Sequence, residues 1–181
     1  MRVDTPFEPI TTDRLVLRRS VPEDAETISA YRRDPTVNRQ QGWDRTDVDS
    51  VRADIVEMSR RSPGEPGGWV QFTVHQREGG RIIGDVGLSV ADGEPEVIKV
   101  GYTIASEFQG RGFATEAIRA LMDYAFHTLG AEVVRAHASA MNTPSIRVAE
   151  KVGMHLIEKV EYRDGDEVWY GVRYEVGRDE R

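Results

Sequence analysis

Val97-Ile98-Lys99-Val100-Gly101-Tyr102-Thr103-Ile104, followed after four residues by Gln109-Gly110-Arg111-Gly112-Phe113-Ala114-Thr115, decides how this chain is read. The first run is strand-like. After the second, Ala114, Ala117, Ile118, Leu121, Met122, Ala125 and Leu129 recur at helical spacing, so the stretch is a strand, a short loop and a helix start. Two glycines at a helix N-terminus let a ligand approach the backbone closely. The free N–H groups of the first turn and the positive end of the helix dipole suit an anion, most simply a pyrophosphate. Arg111 between the glycines and Thr115 in the first turn add donors fitted to phosphate. The glycines alone would equally serve a tight connection. Two familiar phosphate loops fit poorly, because the stretch has neither a Gly-Lys-Ser/Thr ending nor the third glycine of a dinucleotide fingerprint.

The surrounding chain narrows the function. Its 181 residues fit one domain with room for a substantial core. With 39% hydrophobic and 30% charged residues, and no apolar run of about 18 residues to span a bilayer, no membrane contact is expected. The amino-terminal Met1-Arg2-Val3-Asp4-Thr5-Pro6 carries acid and proline where a signal peptide needs an apolar segment, so the expected location is cytoplasmic. Zero cysteines exclude disulfides, thiolate metal sites and a cysteine nucleophile. Any acyl transfer must go directly between bound molecules or through another residue type. The net charge of −7 argues against a nonspecific grip on nucleic acid and mildly favours cationic partners such as amines, besides serving solubility. His75, His127, His137 and His155 are scattered, with no helical zinc spacing, so no metal is expected.

Taken in order, Arg14 to Arg18 alternates as a strand, and Ser20-Val21-Pro22-Glu23 opens a helix running to about Arg33, which Asp34-Pro35 ends. Asn38 to Trp43 has no clear period. It is polar apart from Trp43, which should therefore pack on something, and the company of Gln40, Gln41 and Gly42 favours a cleft over the core. Thr46-Asp47 starts a second helix with Val51, Ile55 and Met58 as its buried stripe. A break rich in proline and glycine precedes a hairpin of Trp69 to Gln76 and Arg81 to Val90, and Asp92-Gly93-Glu94-Pro95 turns the chain into the strand before the loop. Gly130 ends the central helix, Val133 to Ala138 is an interior strand, and Asn142-Thr143-Pro144 caps a helix that stops at Gly153. Met154 to Tyr162 and Glu167 to Val176 are the last strands, around a turn at Asp164-Gly165. The whole is an α/β (α+β) domain with helices on both faces of a mostly antiparallel mixed sheet.

Gln109-Gly110-Arg111-Gly112-Phe113-Ala114 resembles the signature of the GNAT acetyltransferases. The chain is similar to their RimJ/RimL-like branch through Thr12-Asp13-Arg14-Leu15-Val16-Leu17-Arg18, Ile83-Gly84-Asp85, Gly101-Tyr102, Asn142-x-x-Ser145 and Glu150-Lys151-Val152-Gly153-Met154, in family order. The resemblance implies a single GNAT domain over residues 1–181, with its core from about 12 to about 176. In that fold the strands flanking the central helix run parallel and splay apart around acetyl-coenzyme A. It implies that Gln109, Gly110, Arg111, Gly112, Phe113, Ala114 and Thr115 hold the pyrophosphate, that Tyr102, Thr103, Ile104 and Asn142 follow the pantetheine arm, and that Ser145 lies beside the thioester. Apart from the resemblance, Asn142 and Ser145 are an ordinary helix cap and first-turn serine. The implied partners are acetyl-coenzyme A and an amine acceptor, with a homodimer left open.

The chemistry sets a demand. An alkylamine of pKa about 10.4 is neutral in only about one molecule in 2,500 at pH 7, a deficit of about 4.6 kcal/mol, and attack on a thioester needs the neutral form. A carboxylate or a water held by one should take the proton, and a donor should meet the departing thiolate. Two departures from the resembled pattern bear on this. Lys99 stands where the branch usually has glutamate, and Ala149 where many GNAT members have a tyrosine acid. Asp85 then becomes the candidate base and Ser145 the thiolate donor. Lys99 inside the cleft would favour an acceptor bearing a carboxylate or phosphate, whereas strand alternation turning it outward would leave it no such role. The main expectation is an N-acetyltransferase acting by direct amine attack. A catalytically silent acyl-coenzyme A binding module and, more remotely, a nucleotide-phosphate binder are the alternatives.

Overall fold

The computed structural model describes residues 7–41, 43–164 and 167–181. The readings that fall on Met1 to Pro6, on Gly42 and on the turn at Gly165 lie outside the described residues. Eight strands form one sheet: β1 (Ile10–Thr11), β2 (Leu15–Arg19), β3 (Val70–Gln76), β4 (Ile82–Ala91), β5 (Glu94–Ile104), β6 (Val133–Ser139), β7 (His155–Asp164) and β8 (Glu167–Gly177). Their spatial order is β1-β2-β3-β4-β5-β6-β8-β7. Every neighbouring pair is antiparallel except β5 and β6, which run parallel from Val97↔Val133 to Val100↔Ala136. There the pairing stops, although β5 continues to Ile104 and β6 to Ser139. A wedge opens between them.

Five helices cover the sheet: α1 (Ala25–Arg32), α2 (Pro35–Gln41), α3 (Val48–Ser59), α4 (Phe113–Asp123) and α5 (Thr143–Lys151). The register Asp85↔Thr103, Gly87↔Gly101 and Ser89↔Lys99 places these six residues on one face of β4 and β5, and α1 and α3 lie on that side. Ile98, Val100, Tyr102 and Ile104 alternate to the other face, beneath α4. Phe72, Leu15, Leu17, Ile28, Ile55, Ile83, Leu88, Ile98 and Leu121 are buried completely or nearly so. β3 is buried from Val70 to Val74 and β4 over most of its length, although Gln71, Thr73, Asp85 and Ser89 are polar, and Leu121→Ala on α4 beneath the sheet should cost about 2–5 kcal/mol.

Element order agrees with the sequence expectation, with two additions and several changed bounds. β1 is only two residues long. α2 occupies the stretch read as having no period, because Val37 is its one deeply buried apolar side chain; the Asp34 carboxylate starts it by accepting the Thr36 N–H at 2.8 Å. The first helix begins as a 3-10 turn, Pro22–Asp24. The expected capping box from Ser20 gives way to buried Asp24, which accepts the Val21 N–H at 2.9 Å and a two-pronged pair from Arg18 at 3.0 and 2.7 Å. After α4 the helix widens to a π-helical stretch, Tyr124–Leu129, and ends at Gly130 with φ 77°, the left-handed cap expected there.

Candidate functional site

The loop between β5 and α4 is built to leave backbone donors free. Gly110 and Gly112 take φ of 72° and 81°, a region that L side chains avoid. Gly112 is the N-cap of α4 and has no side chain to offer, and the Glu116 N–H makes the first return bond, to the Gly112 carbonyl at 3.1 Å. No described side chain caps this end. By contrast, α3 is capped by Asp47 and α5 by Asn142, whose Oδ1 accepts the Ser145 N–H at 3.1 Å. The first-turn N–H groups at Phe113, Ala114 and Thr115 are thus the ones left for a ligand.

Side chains brace this loop more than they line it. Gln109, expected at the phosphate, instead donates to the Ile104 carbonyl at 2.8 Å and ties the loop to the end of β5. Arg14 donates to the Arg111 carbonyl at 3.1 Å and lies over the Phe113 ring. Glu116 collects Thr12 Oγ1 at 2.6 Å, the Arg14 N–H at 3.0 Å and the Arg14 guanidinium at 2.6 Å. Burial pushes the Glu116 carboxyl up, but these bonds outweigh it and hold the group below its ordinary range. Through them the Thr12-Asp13-Arg14 block fastens the start of β2 to the helix that carries the loop. The Arg111 guanidinium lies over Phe113 and Phe108, 5.2 and 5.8 Å from the ring centroids.

The wedge lies alongside. Val100, Gly101 and Tyr102 of β5, Ala136 to Ser139 of β6, and Asn142, Ser145 and Ala149 line a narrow cleft of about 100 Å³. Tyr102 donates its hydroxyl to Ser145 Oγ at 3.1 Å, so two hydroxyls sit together in the wedge. Burial raises the Tyr102 phenol above its usual value, with the Ser145 bond working against it. His137 also lines the wedge, a place that its scattered position in the sequence did not suggest. Burial and the cations of Arg173, Arg135 and Lys99 push its imidazole below the usual range, opposed by Glu175.

A second, wider hollow of about 720 Å³ opens on the α1–α3 side. It shares Gln41, Gly101 and Tyr102 with the wedge, so the two spaces meet at β5. Gln41 spans the junction, donating to the Tyr102 carbonyl at 3.0 Å and the Thr103 hydroxyl at 3.3 Å. The Thr103 side chain thus faces the hollow, and Ile104 is buried. Trp43 lines the hollow, clipped by its N–H to Asn38 Oδ1 at 2.9 Å, with the Arg32 guanidinium 4.5 Å from its ring centroid.

Asp85 also lines the hollow but is only 6% exposed, with Oδ2 accepting from the Tyr31 hydroxyl and Oδ1 3.8 Å from Arg32. Burial raises its carboxyl pKa, while Arg32, Tyr31 and Gln71 pull it down; the net direction is up. Lys99 lies on the same face as Asp85 but pairs with Asp92 at 3.6 Å and lines neither space. The expectation that it would act on the acceptor is therefore not met. Sequence reasoning missed Tyr31, Arg32, Gln71 and Trp69, all of which belong to the hollow or to Asp85. Among the described residues no group of three or more histidines and carboxylates could hold a metal, and no helix is long and apolar enough to cross a membrane.

A sheet parted between two parallel strands, with an uncapped glycine loop beside the parting, defines the GNAT class of acyl-transfer folds. A family model described as acetyltransferase (GNAT) domain matches residues 14–155, and the chain belongs to that family. It is 33% identical over 143 residues to an uncharacterized N-acetyltransferase, p20, of Bacillus licheniformis, covering 78% of this chain and 79% of that one. A GNAT-family acetyltransferase from Bacillus anthracis superposes with a TM-score of 0.83 at 23% identity, covering 96% of this chain and all of the other. RimJ of Mycobacterium smegmatis, solved with CoA-disulfide, superposes with a TM-score of 0.77 at 21% identity, covering 96% and 91%. These two likenesses speak to the fold. The protein is an N-acetyltransferase of a family that uses acetyl-coenzyme A.

Proposed function

We propose that this enzyme transfers the acetyl group of acetyl-coenzyme A to a primary amine, on a protein N-terminus or a small molecule, by direct attack within a ternary complex. The observation that carries the reading is the meeting of wedge and hollow at Gly101, Tyr102 and Gln41. A thioester in the wedge and an amine in the hollow would face each other across that junction. The pyrophosphate rests on the N–H groups from Gly110 to Thr115, helped by Arg111, and the pantetheine arm lies along the free edge of β5 beside Asn142. With zero cysteines in the chain, no thiol relay is needed or offered.

In the transfer, the amine nitrogen forms a bond to the acetyl carbon, the carbon–sulfur bond breaks, and the amine proton leaves. Asp85 is the terminal proton acceptor, reached through water in the hollow; its raised pKa makes it a stronger base than an exposed carboxylate. The Tyr102 and Ser145 hydroxyls act as a relay, Tyr102 donating to Ser145 Oγ at 3.1 Å and Ser145 donating to the departing thiolate. They supply the acid that Ala149 cannot. The test is acceptor-dependent release of free coenzyme A thiol from acetyl-coenzyme A, read with a thiol reagent across a panel of amines. Release with at least one amine is expected. Tight acetyl-coenzyme A binding with no release for any amine would convert the reading to a silent acyl-coenzyme A binding module.

A further inference from the structure

The hollow has a floor made of missing side chains. Gly87 and Gly101 are direct partners across β4 and β5, on the face that the hollow opens onto. Two adjacent glycines leave a flat bare patch, and the indole of Trp69 lies on it. A Cβ added at Gly87 would come within 3.2 Å of Trp69 Cε3, and one at Gly101 within 3.6 Å of Trp69 Cη2. Trp69 nonetheless remains 42% exposed, and it lines the hollow. An indole seated on the backbone of two strands and still open to the cavity is a platform; burial of the core does not account for it.

The charges of the same hollow point away from a polycation. Arg32, Arg45 and Arg61 stand 3.8, 3.8 and 3.9 Å from Asp85, Asp54 and Glu57, so three of the hollow's four carboxylates among the described residues already face a cation, Asp44 being the fourth. A chain of ammonium groups would meet arginine beside each of these acids. A planar apolar body would meet an indole that is 42% exposed.

We infer that Trp69 is a specificity-determining residue, and that the acceptor class is an amine carried on a short arm from an aromatic ring, stacked on this indole, in preference to straight-chain or polyamine acceptors. The inference rests on the acetyl-transfer reading above and adds the shape of the acceptor to it. Offset stacking selects for such a ring by about tenfold over an alkyl chain of similar length.

The experiment compares kcat/KM for phenethylamine, hexylamine and spermidine, with acetyl-coenzyme A saturating, in the wild-type enzyme, Trp69→Ala and Gly87→Ala. Calorimetry of acetyl-coenzyme A with each protein is run alongside. The wild-type enzyme should favour phenethylamine by about tenfold. Trp69→Ala should erase that preference while leaving acetyl-coenzyme A affinity within about twofold. Gly87→Ala keeps the indole but brings a Cβ to 3.2 Å from its Cε3 and 3.3 Å from the Val70 carbonyl, so both must give by a few tenths of an ångström, and it should weaken the preference through KM with kcat retained. Equal use of phenethylamine and hexylamine by the wild-type enzyme, a spermidine preference, or an aryl preference that survives Trp69→Ala would each overturn the inference. Coenzyme release from none of the three amines would overturn it as well, and it is release with other amines in the wider panel that keeps the acetyl-transfer reading separate.

Discussion

The two halves of the cleft are made of different material. On the side proposed for the coenzyme the contacts offered are backbone N–H groups in consecutive residues, freed by a glycine N-cap and braced from behind by Arg14, Glu116 and Gln109. On the side proposed for the acceptor they are side chains brought together from α1, the segment after α2, the residue before β3, and β4: Arg32, Trp43, Trp69 and Asp85. A backbone site is indifferent to most side-chain changes and intolerant of bulk at its glycines. A side-chain site is the reverse. The same fold can therefore keep one co-substrate while its partner is reset by a few substitutions around the hollow.

That contrast can be broken at the junction, where the largest effect is expected. The double variant Tyr102→Phe with Ser145→Ala removes both hydroxyls from the wedge and should lower kcat by about a hundredfold, with acetyl-coenzyme A affinity nearly unchanged. Rapid-quench kinetics together with calorimetry would show this; full turnover in the double variant would leave Ser145 only its place in the capped turn of α5. On the acceptor side, Trp43→Ala should raise the acceptor KM by about tenfold or more. Trp43 is only half-buried and rests against Arg32, so its melting temperature should fall by less than the about 3–5 kcal/mol loss of a core tryptophan implies. Normal kinetics with a large fall in melting temperature would return Trp43 to the core.

Smaller effects sharpen the comparison. Arg111→Ala should weaken acetyl-coenzyme A about tenfold without touching acceptor KM, because a charged hydrogen bond contributes about 1.5–3 kcal/mol and this arginine is exposed. Calorimetry with and without added salt checks that the loss is ionic. The least effect belongs to His137. Its imidazole sits below its ordinary range in the folded protein, so between the folded and unfolded values the unfolded chain binds more protons. The stability it contributes is present above the ordinary histidine range and is lost as pH falls through the folded value. Thermal melts of wild type and His137→Gln from about pH 8 to about pH 5.5 should show the wild type losing ground as pH drops. A constant difference would remove the shift.

How much was legible follows the same division. Gly110-Arg111-Gly112, the helix after it and Asn142 with Ser145 lie in short consecutive stretches, where local pattern and geometry coincide. Trp43 was legible because a large aromatic among polar residues asks for a surface. Trp69 was not, since it adjoins β3 and passes for its first residue. The bare floor beneath it depends on Gly87 meeting Gly101, and the irregular register between Val90 and Ala91 prevents that pairing from being counted back from the Gly93 turn. Arg32 and Tyr31 look like ordinary residues of an amphipathic helix until Asp85 is placed beside them. α2 was missed because its stripe is a single valine, and the two readings of Lys99 left open by strand alternation needed the fold, where it pairs with Asp92 and lines neither space.

Backbone and side-chain halves divide the labour of binding, and one calorimetric comparison separates them: acetyl-coenzyme A titrated into wild type, Gly112→Val and Trp43→Ala, each first confirmed folded by circular dichroism. A valine at φ 81° blocks approach to the α4 N-terminus, so Gly112→Val should lose affinity by about a hundredfold or more, while Trp43→Ala stays within about twofold of wild type. Unchanged affinity in folded Gly112→Val, or an equal loss in Trp43→Ala, would contradict the account.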